Sequence, residues 1–131
     1  MTMEEIRKEF NETNRFLRFI GGQVTVLREG YAELELITME EFRNSNGTLH
    51  GGLIYALADT AAGAASKSYE VGSTTLEGKM NYIRPGQCDA TKIKAVAQAI
   101  HAGRRTAVYD TKVYDHQDKL LAAAVFTMFI F

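Results

Sequence analysis

The sequence predicts an α+β fold in which one long antiparallel sheet curls around a single central helix. Three observations lead there. The run from Gly51 to Ala65 is rich in Ala and Leu and carries one charge, Asp59, and a helix that is apolar nearly all round belongs inside a protein. After it come four apolar or alternating segments separated by short turns, which implies antiparallel pairing of neighbours. Finally, 131 residues of which 46% are hydrophobic and 24% charged suit one domain, 1–131, whose core needs no staples.

The elements follow in order. Thr2 and Glu5 have capping-box spacing, and Met3, Ile6 and Phe10 recur at helical intervals, so a short helix runs to about Asn11. Phe16, Leu17, Phe19 and Ile20 form an apolar connector that reads as core. Gln23 to Ile37 is a strand pair or one strand bent near Glu29-Gly30, with Ala32, Leu34 and Leu36 facing in and Glu33 and Glu35 facing out. Thr38 to Arg43 is a polar connector. The central helix follows and ends near Glu70, with Gly72 as its stop signal.

Ser73 to Ile83 alternates: Leu76, Gly78, Met80 and Tyr82 share one face, and Thr75, Glu77, Lys79 and Asn81 the other. Arg84-Pro85-Gly86-Gln87 has the Pro-Gly order of a type II turn. Thr91 to Ile100 places Ile93, Ala95, Ala97 and Ala99 on one face, small enough for close contact with a buried helix. Arg105 to Tyr114 and Lys119 to Phe131 complete the sheet; the last is so continuously apolar that it reads as covered on both faces or buried at an interface.

Composition narrows the function classes. A net charge of −1 offers nothing to nucleic acid or to an acidic membrane surface. The single Cys88 makes no intramolecular disulfide and fits a reducing compartment. Glu4, Glu5, Arg7 and Lys8 interrupt the start, so no signal peptide is read there, and no stretch is long and apolar enough for a membrane helix. A cytoplasmic protein is expected. Three scattered His and one Cys have no metal-site spacing, and no Gly-x-Ser-x-Gly elbow is present.

The central helix carries the chemistry. His50-Gly51-Gly52 sits at its start, where backbone N–H groups lack intrahelical acceptors and favour an anion. Asp59 is a carboxylate in apolar surroundings and must be paired, hydrogen-bonded or held for work. Free N–H donors and an acid are two parts of an acyl-transfer site. They cannot meet within one chain, because eight residues of helix rise ~12 Å, whereas a reacting carbonyl needs both within ~3–3.5 Å. Two helices laid antiparallel about a two-fold axis would bring the start of each to the acid of the other. A catalytic reading therefore predicts a homodimer with shared sites, or a dimer of dimers. A satisfied polar residue in a core or interface helix is the bland alternative for Asp59.

The pattern Asn44-x-x-Gly47-Thr-Leu-His50-Gly-Gly-Leu-x-x-x-Leu57-x-Asp59-x-Ala61-x-Gly63-x-Ala65 resembles the motif of the hotdog-fold acyl-CoA thioesterases, nearest the phenylacetate-pathway (PaaI-like) type. Tyr82-Ile-Arg84-Pro85-Gly86 resembles that family's later strand-end motif, and Gly103-Arg104-Arg105 its next hairpin. Together these cover about residues 40 to 131. The resemblance implies hydrolysis of aromatic or medium-chain acyl-CoA thioesters with no metal or bound cofactor. Carried over, Asp59 is general base or nucleophile, and the Gly51 N–H is the oxyanion donor. Asn44 places the thioester or the water, His50 supports the loop and the thioester end, and Thr75 assists the carboxylate from the strand after the helix. Arg84, Pro85, Arg104 and Arg105 are candidates for substrate binding, since guanidinium groups suit the phosphates of CoA. Stripping a carboxylate of water makes it a stronger base, or it can attack the thioester directly. A non-catalytic acyl-CoA or acyl-carrier binding protein on the same fold is the alternative, and it has no need of the acid.

Overall fold

The computed structural model describes residues 1–131. Its helices are α1 (Met3–Thr13), α2 (Arg15–Phe19) and α3 (Gly51–Lys67), and its strands are β1 (Gln23–Arg28), β2 (Tyr31–Ile37), β3 (Ser73–Tyr82), β4 (Lys92–Ala102), β5 (Thr106–Tyr114) and β6 (Leu120–Ile130). The six strands form one antiparallel sheet in the order β1-β2-β4-β5-β6-β3. α3 packs against every strand and buries Ile54, Leu57, Ala58, Ala61, Ala62, Ala64 and Ala65. Ala95, Ala97, Ala107, Ala122 and Ala124 line the buried sheet opposite it, so the helix lies close to the strand backbones. No helix is long and apolar enough to cross a membrane.

The sheet order corrects one expectation. β3 does not pair with β4, the strand after it; it crosses to the outside of β6 and forms an edge. Residues 84–87 accordingly do not make a type II turn, which would need a positive φ at Gly86, and Gly86 has none. The segment instead runs extended beneath the helix entry. The Ile83 and Arg84 N–H groups donate to the Leu121 carbonyl at 2.8 and 3.3 Å, and the Leu49 N–H to the Gly86 carbonyl at 2.8 Å. The backbone takes a positive φ later, at Ala90.

Several boundaries also shift. α1 continues past Asn11 to Thr13, and the connector after it is the short helix α2, capped by Asn14, whose side chain accepts from the Leu17 N–H at 2.9 Å. Helical spacing turns Leu17 and Ile20 into the core, while Phe16 and Phe19 face out, Phe19 at 79% exposure, so only half of the connector packs as core. α3 stops at Lys67, three residues early, because Ser68 folds back on the Ala65 carbonyl at 2.6 Å and the chain then turns through a positive φ at Glu70. β6 buries Leu121, Ala122, Ala124, Phe126 and Met128, but Val125 and Phe129 stand exposed on the outer face, so this chain alone does not cover both faces.

β3 holds the one irregularity that matters for chemistry. A bulge between Thr75 and Glu77 leaves Leu76 unpaired. Thr75 is opposite Met128, Gly78 opposite Phe126, Met80 opposite Ala124 and Tyr82 opposite Ala122. Those β6 partners are all buried, so Thr75 lies on the inner face together with Gly78, Met80 and Tyr82. Simple alternation puts it on the outer one. Gly78 is required where it stands: a Cβ there would collide with the Tyr55 hydroxyl and the Phe126 ring, which stack edge-on 5.1 Å apart.

Candidate active site

The start of α3 is built by its own sequence. His50 is the N-cap, and its Nδ1 accepts from the Gly52 N–H at 2.8 Å, leaving the other ring nitrogen to carry the proton. The Gly51 N–H finds no acceptor in the chain, while the Gly51 carbonyl accepts from the Tyr82 hydroxyl at 2.8 Å. Burial, and then the neighbouring Tyr55, hold the Tyr82 phenol above the ordinary tyrosine range, so it remains a donor at neutral pH. Asn44 ties off the loop ahead of the helix. Its Oδ1 accepts from the N–H groups of Asn46 and Thr48 at 2.9 and 3.0 Å, and its Nδ2 donates to the Thr48 hydroxyl at 2.9 Å. One amide hydrogen of Asn44 is left over. Asn44, Gly51, Tyr82, Arg84 and Pro85 together line a cleft of about 320 Å³.

Two helical turns on, Asp59 lines a second cleft of about 480 Å³, shared with Thr60, Gly63, Lys67, Thr75 and Met128 and walled by Phe10, Thr13 and Asn14 of the N-terminal helices. The Thr75 hydroxyl, brought inward by the bulge, donates to Asp59 Oδ1 at 2.6 Å. This is the carboxylate's one hydrogen bond in the chain. Asp59 is half-buried, not sealed in a dry core as an apolar helix suggests. The reason is positional: it faces the gap between α3 and the open edge strand β3, a cleft that the N-terminal helices wall without filling.

The structure thus brings Asp59 to Thr75, and Asn44 to Gly51, Arg84 and Pro85, and keeps the two groups in different clefts. Arg104 and Arg105 line neither cleft. They form the exposed β4–β5 turn, whose Arg105 carbonyl accepts from the Ile130 N–H at 2.8 Å, next to Phe131 at the rim of the Asp59 cleft. No cluster of three or more His, Cys, Asp or Glu is placed to hold a metal ion.

Sequence reasoning missed three contributors. Tyr82 pins the helix start, a role that neither its strand face nor its place at the head of the Tyr82–Gly86 motif assigns to it. Lys67 follows Asp59 by eight residues and Gly63 by four, so helical spacing could have found it. Phe10 comes from the N-terminal helix, which carried no motif.

Comparison with known proteins shows the family. A family model described as "Thioesterase superfamily" matches residues 46–122, a span that takes in both clefts' helix and the β3 and β4 strands. The 1,4-dihydroxy-2-naphthoyl-CoA hydrolase of Listeria monocytogenes is 33% identical over 103 residues, 78% of this chain and 84% of that protein. The acyl-coenzyme A thioesterase PaaI of Escherichia coli is 29% identical over 111 residues, 85% of this chain and 79% of that one. Among solved structures, a hypothetical thioesterase protein from Streptococcus pneumoniae with coenzyme A superposes with a TM-score of 0.85 at 25% identity, covering 95% of each chain.

Proposed function

The chain belongs to the thioesterase superfamily, has the hotdog fold and is a thioester hydrolase, and from that premise we propose that it cleaves acyl-CoA thioesters with Asp59 as base at a site shared between two copies. The observation that carries the proposal is the separation of the parts. The acid with its Thr75 hydrogen bond opens on one cleft, and the unpaired Gly51 N–H belongs to the other, ~12 Å along the same helix. Antiparallel apposition of two α3 helices makes each acid face a Gly51 of the second copy. The β3 edge supports that arrangement: it is ten residues long, unpaired on its outer side, and carries Leu76 and Tyr82 exposed, with Ile83 exposed just past its end.

In this site the thioester carbonyl oxygen accepts from the second copy's Gly51 N–H. Asp59 Oδ removes a proton from water as the water oxygen attacks the carbonyl carbon. The negative charge that develops on the carbonyl oxygen is held by the N–H donor. Collapse expels the CoA sulfur, which takes up the proton from Asp59, leaving free acid and CoA. Thr75 keeps the carboxylate oriented, and His50 and Tyr82 hold the helix start on either side of the donor. Arg84 and Pro85 at the donor cleft, with Arg104 and Arg105 at the rim of the acid cleft, frame the path of the CoA phosphates. The acyl groups to try first are aromatic and medium-chain ones.

Asp59→Asn tests the reading. The amide keeps the shape and the bond from Thr75 but can neither take a proton nor attack, so thiol release from phenylacetyl-CoA or octanoyl-CoA falls by ~10²–10⁴, the usual range for a positioned base. Unchanged kcat in a folded variant would remove Asp59 from the mechanism. A wild-type chain that binds acyl-CoA tightly and turns none over would be a binding protein. Solvent ¹⁸O appearing in Asp59 after a single turnover would make the acid the nucleophile in place of the base.

A further inference from the structure

We propose that Lys67 makes the far end of the Asp59 cleft a subsite for an anion, so that the favoured substrates are short acyl-CoA thioesters whose acyl group ends in a carboxylate. The inference rests on the thioesterase reading above and names a substrate class for it. Asp59, Gly63 and Lys67 lie four residues apart on α3 and share one face, and all three line the same cleft. That face reads as carboxylate, bare backbone, ammonium. The bare position is open: a Cβ built on Gly63 would meet nothing within 4 Å. A glycine in mid-helix is destabilising relative to alanine, and the alanines around it show what the helix otherwise uses. The glycine keeps the cleft open between the acid and the ammonium.

Lys67 is half-buried in this wall, near the apolar Phe10, Val71 and Met128, yet its ammonium makes no ion pair and no hydrogen bond within the chain. A cation in the last helical turn is favourable by itself because of the helix dipole. An unpaired cation inside the cleft that holds the acid does something more: it gives the cleft a direction. Asp59 repels an anionic acyl terminus and Lys67 attracts it, so the substrate seats with its thioester at Asp59 and its terminus at Lys67. The ~12 Å rise between the two Cα atoms, shortened by the lean of helical side chains toward the N-terminus, suits an acyl chain of about five carbons. The CoA phosphates are the other anions of the same substrate, and the experiment separates them.

Rates of thiol release from glutaryl-CoA and pentanoyl-CoA, both five-carbon acyl groups, are compared in the wild type, Lys67→Met and Lys67→Arg, with phenylacetyl-CoA as a control and thermal melts to check folding. The wild type is expected to favour glutaryl-CoA in kcat/KM. Lys67→Met is expected to lower the glutaryl-to-pentanoyl ratio about tenfold or more, as loss of a charge-assisted bond does, and Lys67→Arg to restore most of it. An equal loss on both thioesters would place Lys67 on the CoA phosphates or in the fold and overturn the inference. So would a wild type that prefers pentanoyl-CoA, shows no preference, or turns over phenylacetyl-CoA alone, in each case leaving the thioesterase reading intact. Failure to cleave any of the three would overturn both.

Discussion

The two edges of the sheet are treated oppositely. At the β1 edge the backbone of Val24 is closed off by α1: its N–H donates to Asn11 Oδ1 at 2.7 Å, and its carbonyl accepts from Asn11 Nδ2 and Arg7, each at 3.0 Å. β1 is also short, six residues, and bulged at its start. The β3 edge is bulged too, between Thr75 and Glu77, but it is neither short nor closed off by a helix. It is longer, no helix lies along its outer side, and Leu76 on it and Ile83 just past its end are 58% and 49% exposed. An edge capped by a side-chain amide and a guanidinium is finished; a ten-residue edge with no chain along its outer side is open to a second strand. The acid of the candidate site lies at the open edge, so the same feature that leaves Asp59 uncovered also offers the means to cover it.

That contrast can be broken at the open edge first. Leu76→Glu combined with Ile83→Glu sets like charges against each other across a two-fold axis. Sedimentation should show monomers, and thioester turnover should drop by at least ~10²–10³, the cost of losing an oxyanion donor. An active monomer would sink the shared site. The second route asks which chain supplies what. Asp59→Asn and Gly51→Val chains are each expected to be nearly inactive, the valine because its side chain crowds the Tyr82 ring, which lies 3.3 Å from a Cβ at that position. Mixed dimers contain one doubly defective and one intact site, so each should recover toward half of the wild-type rate. No recovery in mixed dimers that demonstrably form would put both groups in one chain.

The closed edge should respond differently. Asn11→Ala leaves Val24 short of partners and is expected to lower stability by ~1–3 kcal/mol, read as a shift in the urea midpoint at constant slope. Its molecular mass in solution should not change. A shift to higher oligomers would mean that this edge, too, can recruit a strand. The smallest effect is expected from Tyr82→Phe, which removes the bond to the Gly51 carbonyl. A loss of ~0.5–1.5 kcal/mol at the helix start corresponds to a severalfold fall in kcat with KM little altered. A change confined to KM would make Tyr82 a substrate contact.

Legibility in the sequence followed the range of the forces involved. α3 was readable because Gly51 to Ala65 is a local pattern with one charge, and the ~12 Å between donor and acid follows from helix geometry alone. The strands were readable where alternation is unbroken, as at Ala32, Leu34 and Leu36. The sheet order was not, because β3 pairing with β6 is decided by contacts distant in sequence and leaves no local mark. Thr75 was identified by motif but assigned to the wrong face, since one extra residue at Leu76 reverses the alternation. Phe16 and Phe19 were read as core because they are apolar; their phase on α2, fixed by the Asn14 cap, puts them outside.

The unpaired Leu76 has a further consequence, for insertions and deletions. Removing that residue would leave Thr75 opposite Met128 and Glu77 opposite Thr127, so the inner and outer faces on both sides of it would keep their assignments. The strand thus tolerates a one-residue change of length there, and at its neighbours it does not. A deletion between Gly78 and Tyr82 would instead turn the acid-facing threonine away from Asp59 or the packing residues away from the helix. Alignment gaps among relatives within this strand should therefore fall at Leu76, and a designer moving the site to another sheet must carry the odd residue with it.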